Sequence, residues 1–580
     1  MISKTPKFEK ALEEYFSKLK LDEKGGQELT CRFSGKEFYV RPEDVEYYKK
    51  IRVPLPTLSP HERMRGKLGF FNFYNLFYGK SAKTGKKIVS SYSSNTPYKI
   101  YEHTIWNDTD FTDAFVEYNS EKSFFEQYKD FQLKIPRPNL VTRNVVNSNY
   151  SHATADVKNC YFVFDSEDVE DSQLSAYIND SKNCYYSYAT TASNICYENS
   201  SCDKLYKCFF SEFSKNCVSS SFLFDCRNCN DCFMCTNLRH KSYCFENEQL
   251  SKEEYQGKMS GVNLGNREEI EELKRRFKEL KDKAIHRATQ NEKNVNCTGD
   301  YNTNSKNCDS CFYVMDSENL RYMTGAMKSR DCMDSAVCLE SELVYGSMIW
   351  DKNCYNVKFS VKSSGLRDSE YCDLCKNCEN CFACIGLKNK SFCIFNKQYT
   401  EEGYWKKIDE IKTKMLEDGE YGEFFPPKLC PIPYQISSAV SFGGYDDIEV
   451  AEKYGYNIEK VLDDIQGVSD NEITIDEIPD DVKATNGGIL KKVIIDSVNN
   501  KKFRYTKEQL EFHIKYNLAL PTEHYSAVLA RKRIALGPID FNLKYRNCTK
   551  CNQKTQVTFP TDHPDVPVKI YCEKCYNLAI

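Results

Sequence analysis

Four cysteines near the end of the chain carry the strongest chemical signal: Cys548-Thr-Lys-Cys551, then Cys572-Glu-Lys-Cys575 after 20 intervening residues. Two CxxC knuckles at this separation suit a four-thiolate tetrahedral zinc ribbon. Each knuckle offers two sulfurs from one tight turn, and four thiolates leave no open coordination position. The expected role is one structural Zn site rather than a catalytic one. A redox CxxC pair is the weaker competitor, because paired knuckles at ribbon spacing need their metal to fold.

Denser cysteine runs stand in the middle of the chain. Cys226, Cys229, Cys232 and Cys235 form CxxCxxCxxC, and Cys372, Cys375, Cys378, Cys381 and Cys384 extend the same rhythm. These runs are like those that hold iron–sulfur clusters, but lack the wider last spacing and the closing proline. Core and turn cysteines are therefore the preferred reading of Cys226, Cys229, Cys232, Cys235, Cys375, Cys378, Cys381 and Cys384, with a second metal or metal–sulfur redox centre as the alternative.

Basic residues gather in the last module, with 14 Lys/Arg against 8 Asp/Glu from Asp496 to Ile580. Arg531, Lys532, Arg533, Lys544, Arg546 and Lys550 are candidate nucleic-acid contacts, interleaved with Phe503, Tyr505, Tyr525 and Tyr545. Phosphate contacts supply much of nucleic-acid affinity. The opposing reading pairs these charges with the acidic segment Glu417–Lys483, which holds 17 Asp/Glu and 4 Lys. Enzyme signatures are missing: the chain has no GxxxxGK[ST], GxGxxG or HExxH motif, and only 8 histidines.

The elements that position these residues follow from repetition. Cys160, Cys184, Cys208 and Cys232 lie 24 residues apart, with Ser172, Cys196, Ser220 and Cys244 at the half-beats. A fixed period in this range predicts a solenoid. Short strands are expected, with the cysteines inward and Tyr161, Tyr185, Phe209 and Phe233 outward, covered by a flanking helix or domain. The unit recurs: CKNCENCFACIGLKNKSFCIFNKQYTEEGY (375–404) echoes CRNCNDCFMCTNLRHKSYCFENEQLSKEEY (226–255) without a gap.

The flanking module also occurs twice. Residues 34–56 align without gaps on 499–521, and YKIYEHTIW (98–106) falls on VKIYCEKCY (568–576). Ser81, Thr84, Glu102 and Ile105 then occupy the places of Cys548, Cys551, Cys572 and Cys575, so the first copy has lost its metal ligands. Lone Cys31 reads as an ordinary half-buried thiol. Between the repeats, Asn266 and Glu269 suggest a capped helix with an Ile270, Leu273, Phe277, Leu280, Ala284 stripe.

The expected class is mainly β: two Cys-rich parallel β-solenoid (β-helix) halves flanked by α+β zinc-ribbon-like modules and helical linkers. The expected layout is an N-terminal helix (1–27), a degenerate ribbon-like module (28–145), solenoid half one (146–249) and a helical connector (250–295). Solenoid half two (296–397), a helical and acidic linker (398–490) and the zinc-ribbon module (491–580) follow. Short helices are expected near Asp446–Tyr454 and Ile458–Ile465.

No run of about 18 apolar residues exists, so no membrane span is expected. The start has no apolar core of a secretory signal, and its Phe8, Leu12, Phe16 and Leu19 mark one helix face instead. Twenty-nine cysteines without an export signal point to reduced thiols in a cytoplasmic chain.

The stretch IPDDVKATNGGILKKVIIDSVNNKKFRYTKEQLEFHIKYNLALP, with RNCTKCNQKTQV and VKIYCEKCYNL, resembles uncharacterised cysteine-rich zinc-ribbon proteins of ultra-small candidate-phylum bacteria. CFACIGLKNKSFCIFNKQYTEEGY and IRVPLPTLSPHER resemble the same family. Ser34, Ser59, Glu62, Ser81 and Thr84 depart from the further CxxC or CPxCR ligands that such proteins usually carry. The resemblance implies no activity. The leading expectation is a non-enzymatic scaffold or adaptor that binds a macromolecule, protein or nucleic acid, through the Cys-rich β-solenoid and the C-terminal zinc ribbon, with homo-oligomeric self-assembly as a further alternative.

Overall fold

In the repeat region a left-handed residue returns at every third position without a break from Asn159 to Glu246. Each such residue turns the chain, so the strands between turns stay short and pair with the segment twelve residues on. Cys184 pairs in parallel with Cys196, and Cys196 with Cys208. Asparagine and aspartate tolerate this conformation best, and they hold many of these places, among them Asn159, Asp165, Asp168, Asp171, Asp180 and Asn183. The computed structural model describes residues 3–348, 352–459, 471–537, 539, 541, 543–558 and 568–580.

This overturns the expected class. Helix accounts for 26% of the chain and strand for 30%, and the first half forms one mixed sheet of twelve strands rather than a parallel β-solenoid. The sheet ends in an antiparallel pair, Cys244–Phe245 with Glu248–Gln249. The second half holds a four-stranded sheet, Gly299–Asp300 through Ala336–Leu339, continued by isolated parallel bridges. Two physical facts explain the difference. The hydrogen-bonding step is twelve residues, half the expected beat, because serine replaces cysteine at some levels. The turn at every third residue also replaces the in–out alternation with a period of three.

That period decides what is buried. Val157, Cys160, Val163, Val169, Ile178 and Cys184 all lie at multiples of three from one another and share one core cluster. Phe162, Tyr186, Phe210 and Met234, two after the cysteines, belong instead to the outer aromatic cluster. Tyr185, Phe209 and Phe233 are covered as well, and Tyr161 is partly buried.

Helices supply the cover. Asn266 caps Arg267–Lys283 by accepting from the Glu269 N–H at 3.0 Å, while the Glu269 carboxylate accepts from Asn263 N–H rather than closing a box on Asn266. Ile270, Leu273 and Phe277 are buried, and Phe277 meets Phe222 with ring centres 5.4 Å apart. The N-terminal helix, Pro6–Ser17, buries Phe8 and Leu12; the Asp409 carboxylate of Glu401–Glu417 accepts from the Phe8 N–H at 2.8 Å.

The acidic segment is not a free linker. Its first third is rich in Phe, Tyr and Pro, and Phe425, Leu429, Ile432, Tyr434 and Ile436 join the largest core cluster. Phe424 packs on Phe70 at 5.1 Å, and Arg65 donates to the Tyr434 hydroxyl at 3.2 Å. A helix forms at Ile448–Lys453; most of the second expected helix, around 458–465, lies outside the described residues.

The two flanking modules match element for element. A hairpin leads to a helix, Pro42–Ile51 in the first and Lys507–Tyr516 in the second, and each helix ends on a left-handed residue, Arg52 or Asn517. A second helix follows, Pro60–Leu68 or Tyr525–Ala535, and then another hairpin. The docking is crossed. Lys507–Tyr516 of the C-terminal copy lies on the first half, with Phe512 against Tyr185 at 4.3 Å. Pro42–Ile51 of the N-terminal copy lies on the second half, where the Tyr47 hydroxyl donates to the Asp331 carbonyl at 3.1 Å.

Candidate metal centre and its basic hairpin

The hairpin of Lys544–Asn547 and Lys554–Val557 turns through the first knuckle. Cys548 N–H donates to the Gln553 carbonyl at 2.8 Å, and Asn552 N–H returns to the Cys548 carbonyl at 2.8 Å. Thr549 N–H donates to Ile570 at 2.9 Å, which ties the knuckle to the strand Lys569–Tyr571. That strand delivers Cys572 and Cys575 at the start of Glu573–Ala579. The four sulfurs thereby lie within 4.8 Å of one another. Among the described residues this is the one set of His, Cys, Asp and Glu ligand atoms gathered so closely, and it could hold a metal ion.

Electrostatics fit thiolate character at one corner. Burial opposes ionisation of Cys548, but the N–H groups of Cys572, Cys551 and Lys550 outweigh it and bring the thiol down to about 6. The first of these, Cys572 N–H, approaches the sulfur at 3.3 Å. The strand Lys569–Tyr571 also pairs in parallel with Ile285–Arg287, the segment that leads into the second half.

The N-terminal copy repeats this frame without sulfur. Ser81 N–H donates to Lys86, Gly85 N–H to Ser81 and Ala82 N–H to Ile100, the same three bonds at 2.9, 2.9 and 2.8 Å. The residues standing in for ligands meet one another. The Ser81 hydroxyl donates to one oxygen of the Glu102 carboxylate, and the Thr84 hydroxyl donates to the other at 2.5 Å. Hydrogen bonds here close the contact that a metal would otherwise close.

The dense runs do something else. All eight candidate cysteines are at most 1% exposed. Cys226, Cys232 and Cys235 point their thiols at the carbonyls of Cys235, Lys241 and Cys244, nine residues on, at 3.5, 3.7 and 3.5 Å. Cys229 donates to the Arg227 carbonyl at 3.4 Å. Cys375, Cys378, Cys381 and Cys384 repeat the nine-residue pattern at 3.4 to 3.7 Å. Burial pushes the Cys226, Cys375 and Cys384 thiols up, while hydrogen bonds from neighbouring cysteines bring Cys229, Cys235 and Cys378 down.

Serines in the same columns satisfy the backbone in both directions. Ser193 donates to the Thr191 carbonyl at 2.8 Å and accepts from the Leu205 N–H, twelve residues on, at 3.0 Å. Inward corners therefore hold cysteine, serine or an aliphatic side chain such as Val163 or Leu205, and serine adds backbone hydrogen bonds where it stands.

The six basic candidates are not brought together. Arg531 pairs with Glu523 of its own module at 2.8 Å, Lys532 donates to the Glu198 carbonyl at 2.7 Å, and Arg533 donates to the Phe442 carbonyl. Lys532 and Arg533 thus serve contacts of Tyr525–Ala535 with other elements, and Arg531 is exposed in its own ion pair. Lys544, Arg546 and Lys550 lie instead on the cysteine hairpin, with Lys544 and Lys550 exposed. The hairpin adds Lys554, whose Nζ lies 5.0 Å from the Tyr545 ring, and Tyr571, under Lys550 at 5.9 Å. Sequence reasoning missed Lys554 and Tyr571. Their signal was position: Lys554 follows the first knuckle by three residues and Tyr571 immediately precedes the second.

No family model matches the chain, and no curated protein matches it. Solved structures that match include a chain described as a "putative acetyltransferase" from Desulfovibrio desulfuricans G20, at 10% identity over 45% of this chain and 68% of that one. Its TM-score of 0.09 is too low to carry an argument about fold or function. Among the described residues no helix is long and apolar enough to cross a membrane.

Proposed function

We propose that the chain is a non-enzymatic scaffold that binds a macromolecular partner, nucleic acid first among the candidates, through the cysteine hairpin at its C-terminal end. The observation that carries this reading is Tyr545. It is 50% exposed on a strand between Lys544 and Arg546, with Lys554 over its ring. A flat exposed ring offers a stacking platform for a base, and the lysines around it can reach phosphates. The strand Lys569–Tyr571 ties that hairpin to Ile285–Arg287 between the two halves.

Zinc is the proposed occupant of Cys548, Cys551, Cys572 and Cys575. The Cys551 and Cys572 sulfurs stand 3.8 Å apart, which matches the ~3.8 Å edge of a tetrahedron with Zn–S bonds of ~2.3 Å. Four cysteines would fill that tetrahedron, so the ion would hold the hairpin's shape and take no part in a reaction. The redox alternative draws less support, because the dense runs spend their thiols on backbone carbonyls.

Fluorescence anisotropy with a labelled single-stranded oligonucleotide tests the reading. Binding should weaken as salt rises, with a slope that falls by ~0.7 for each phosphate-contacting lysine removed. Tyr545→Ala should cost ~1–3 kcal/mol of affinity. No binding at low salt, or binding indifferent to Tyr545→Ala and to Lys550→Ala, would sink it.

A further inference from the structure

A cavity of about 150 Å³ lies between the helix Pro60–Leu68 and residues 419–427. Phe33, Phe125, Phe424 and Tyr456 contribute to its walls, and Lys67 reaches it from the helix. Lys67 is only 1% exposed. Its Nζ donates one hydrogen bond, to the Arg63 carbonyl at 2.9 Å, and lies 5.9 Å from the Phe424 ring centre.

The other charges in the wall are already matched. Arg63 pairs with Asp334 at 2.7 Å and Arg32 with Glu423 at 2.9 Å. Glu62 is held by Arg65 at 2.8 Å. The Glu420 carboxylate accepts from the Ser123 hydroxyl and from the Phe124 N–H at 2.8 Å. Lys67 is left over: among the described residues no carboxylate pairs with it. An ammonium has three donors, so two of them have no protein partner. A buried charge without a counter-ion is costly, and burial drags the Lys67 ammonium down to about 8 despite Asp334 and Glu423 nearby.

We propose that this cavity binds a small aromatic carboxylate, with the ring among the phenylalanines and the carboxylate on Lys67 Nζ. A void of this size accepts one ring about as large as benzene. The aromatic walls supply edge and face contacts to that ring, and the carboxylate supplies the charge and the acceptors that Lys67 lacks. The site stands apart from the cysteine hairpin and does not depend on nucleic-acid binding.

Calorimetric titration of the full chain with benzoate tests this, with benzyl alcohol as the uncharged control. Wild type should bind benzoate saturably below about 10 mM, the range open to so small a ligand. Lys67→Met keeps the side-chain length and removes the charge, and should weaken benzoate by about tenfold or more while leaving benzyl alcohol unchanged. Gly66→Leu gives a second variant: a side chain there meets only the Tyr456 hydroxyl at 3.9 Å before entering the cavity, and it should abolish binding of both probes. Absence of saturable benzoate binding in wild type, equal benzoate affinity in Lys67→Met, or undiminished binding in a folded Gly66→Leu would each overturn the proposal.

Discussion

His513 meets Tyr197 edge-on, with ring centres 4.9 Å apart and planes at 85°. Tyr48, which holds the same place in the N-terminal copy, meets Tyr345 at 5.3 Å and 86°. Their neighbours repeat the match, with Phe512 at 6.4 Å from Tyr197 and Tyr47 at 6.5 Å from Tyr345. Each module therefore clasps one tyrosine of the opposite half between two adjacent helix positions, and the chain's ends lock its middle. Phe512→Ala removes a ring that also packs on Tyr185 and Tyr516. It should cost ~3–5 kcal/mol, read from urea unfolding by circular dichroism, and should speed protease cleavage of the C-terminal module. A loss under ~1 kcal/mol would mean that the module docks by other contacts.

His513 also sets a pH dependence. It is fully buried, and its Nδ1 donates to the Leu518 carbonyl at 3.2 Å. Burial lowers it to about 4, although the carbonyls of Leu518 and Ala519 favour the charged form. The folded pKa lies below the unfolded one, so the unfolded chain takes up the proton first as pH falls. The contribution is present in full above the ordinary value of ~6.5 and is lost as pH drops toward 4. Between about pH 7 and about pH 5 wild type should lose ~2 kcal/mol more than His513→Tyr, which copies Tyr48. Equal slopes in the two proteins would refute the assignment.

The inward corners make a sharper demand. Ser181, Ser193 and Leu205 form a run in which each N–H is received by the hydroxyl twelve residues before it, at 3.2 and 3.0 Å. Ser193→Ala strands the Leu205 N–H in the core and should cost ~1–3 kcal/mol, with Ser193→Cys recovering part of the loss. Cys232 stands one level from Ser220 in the next column and accepts the reverse exchange. Its N–H already donates to the Ser220 hydroxyl at 3.0 Å. Cys232→Ser should fold and leave the metal content of the purified chain unchanged. Loss of bound metal in that variant, measured by elemental analysis, would revive a metal–sulfur centre in the dense run.

Much of this arrangement was legible in the residues. The spacing of Cys548, Cys551, Cys572 and Cys575 announces the knuckles because a metal site is local chemistry, set by a few turns. The duplication was legible too, since Ser81, Thr84 and Glu102 fall where the ligands fall. The twelve-residue step is already present in the half-beats Ser172, Cys196 and Ser220, but the 24-residue beat counts only one cysteine in two levels. Asn and Asp at some of the third places, such as Asp165, Asp168 and Asp171, mark the turns, but Phe162, Tyr177 and Ile195 hold others and hide the period. The separation of Arg531, Lys532 and Arg533 from the hairpin had no sequence signal. It depends on where Tyr525–Ala535 lands, which long-range packing decides.

The metal-free copy offers the most direct test of how the knuckles work. Ser81 and Thr84 sit on the same turn as Cys548 and Cys551, bond for bond, and Glu102 precedes a helix as Cys572 does. Replacing Ser81, Thr84, Glu102 and Ile105 together with cysteine should then create a second tetrathiolate site. Elemental analysis should rise from about one to about two zinc ions per chain, and cobalt substitution should double the thiolate-to-metal absorption. The two hydroxyl bonds to Glu102 would be lost, so the variant should be less stable than wild type when a chelator is present and regain stability on metal addition. If the zinc content stays at about one while the variant remains folded, the backbone of the first copy does not hold its four positions closely enough to ligate, and the match between the copies stops at the hydrogen bonds.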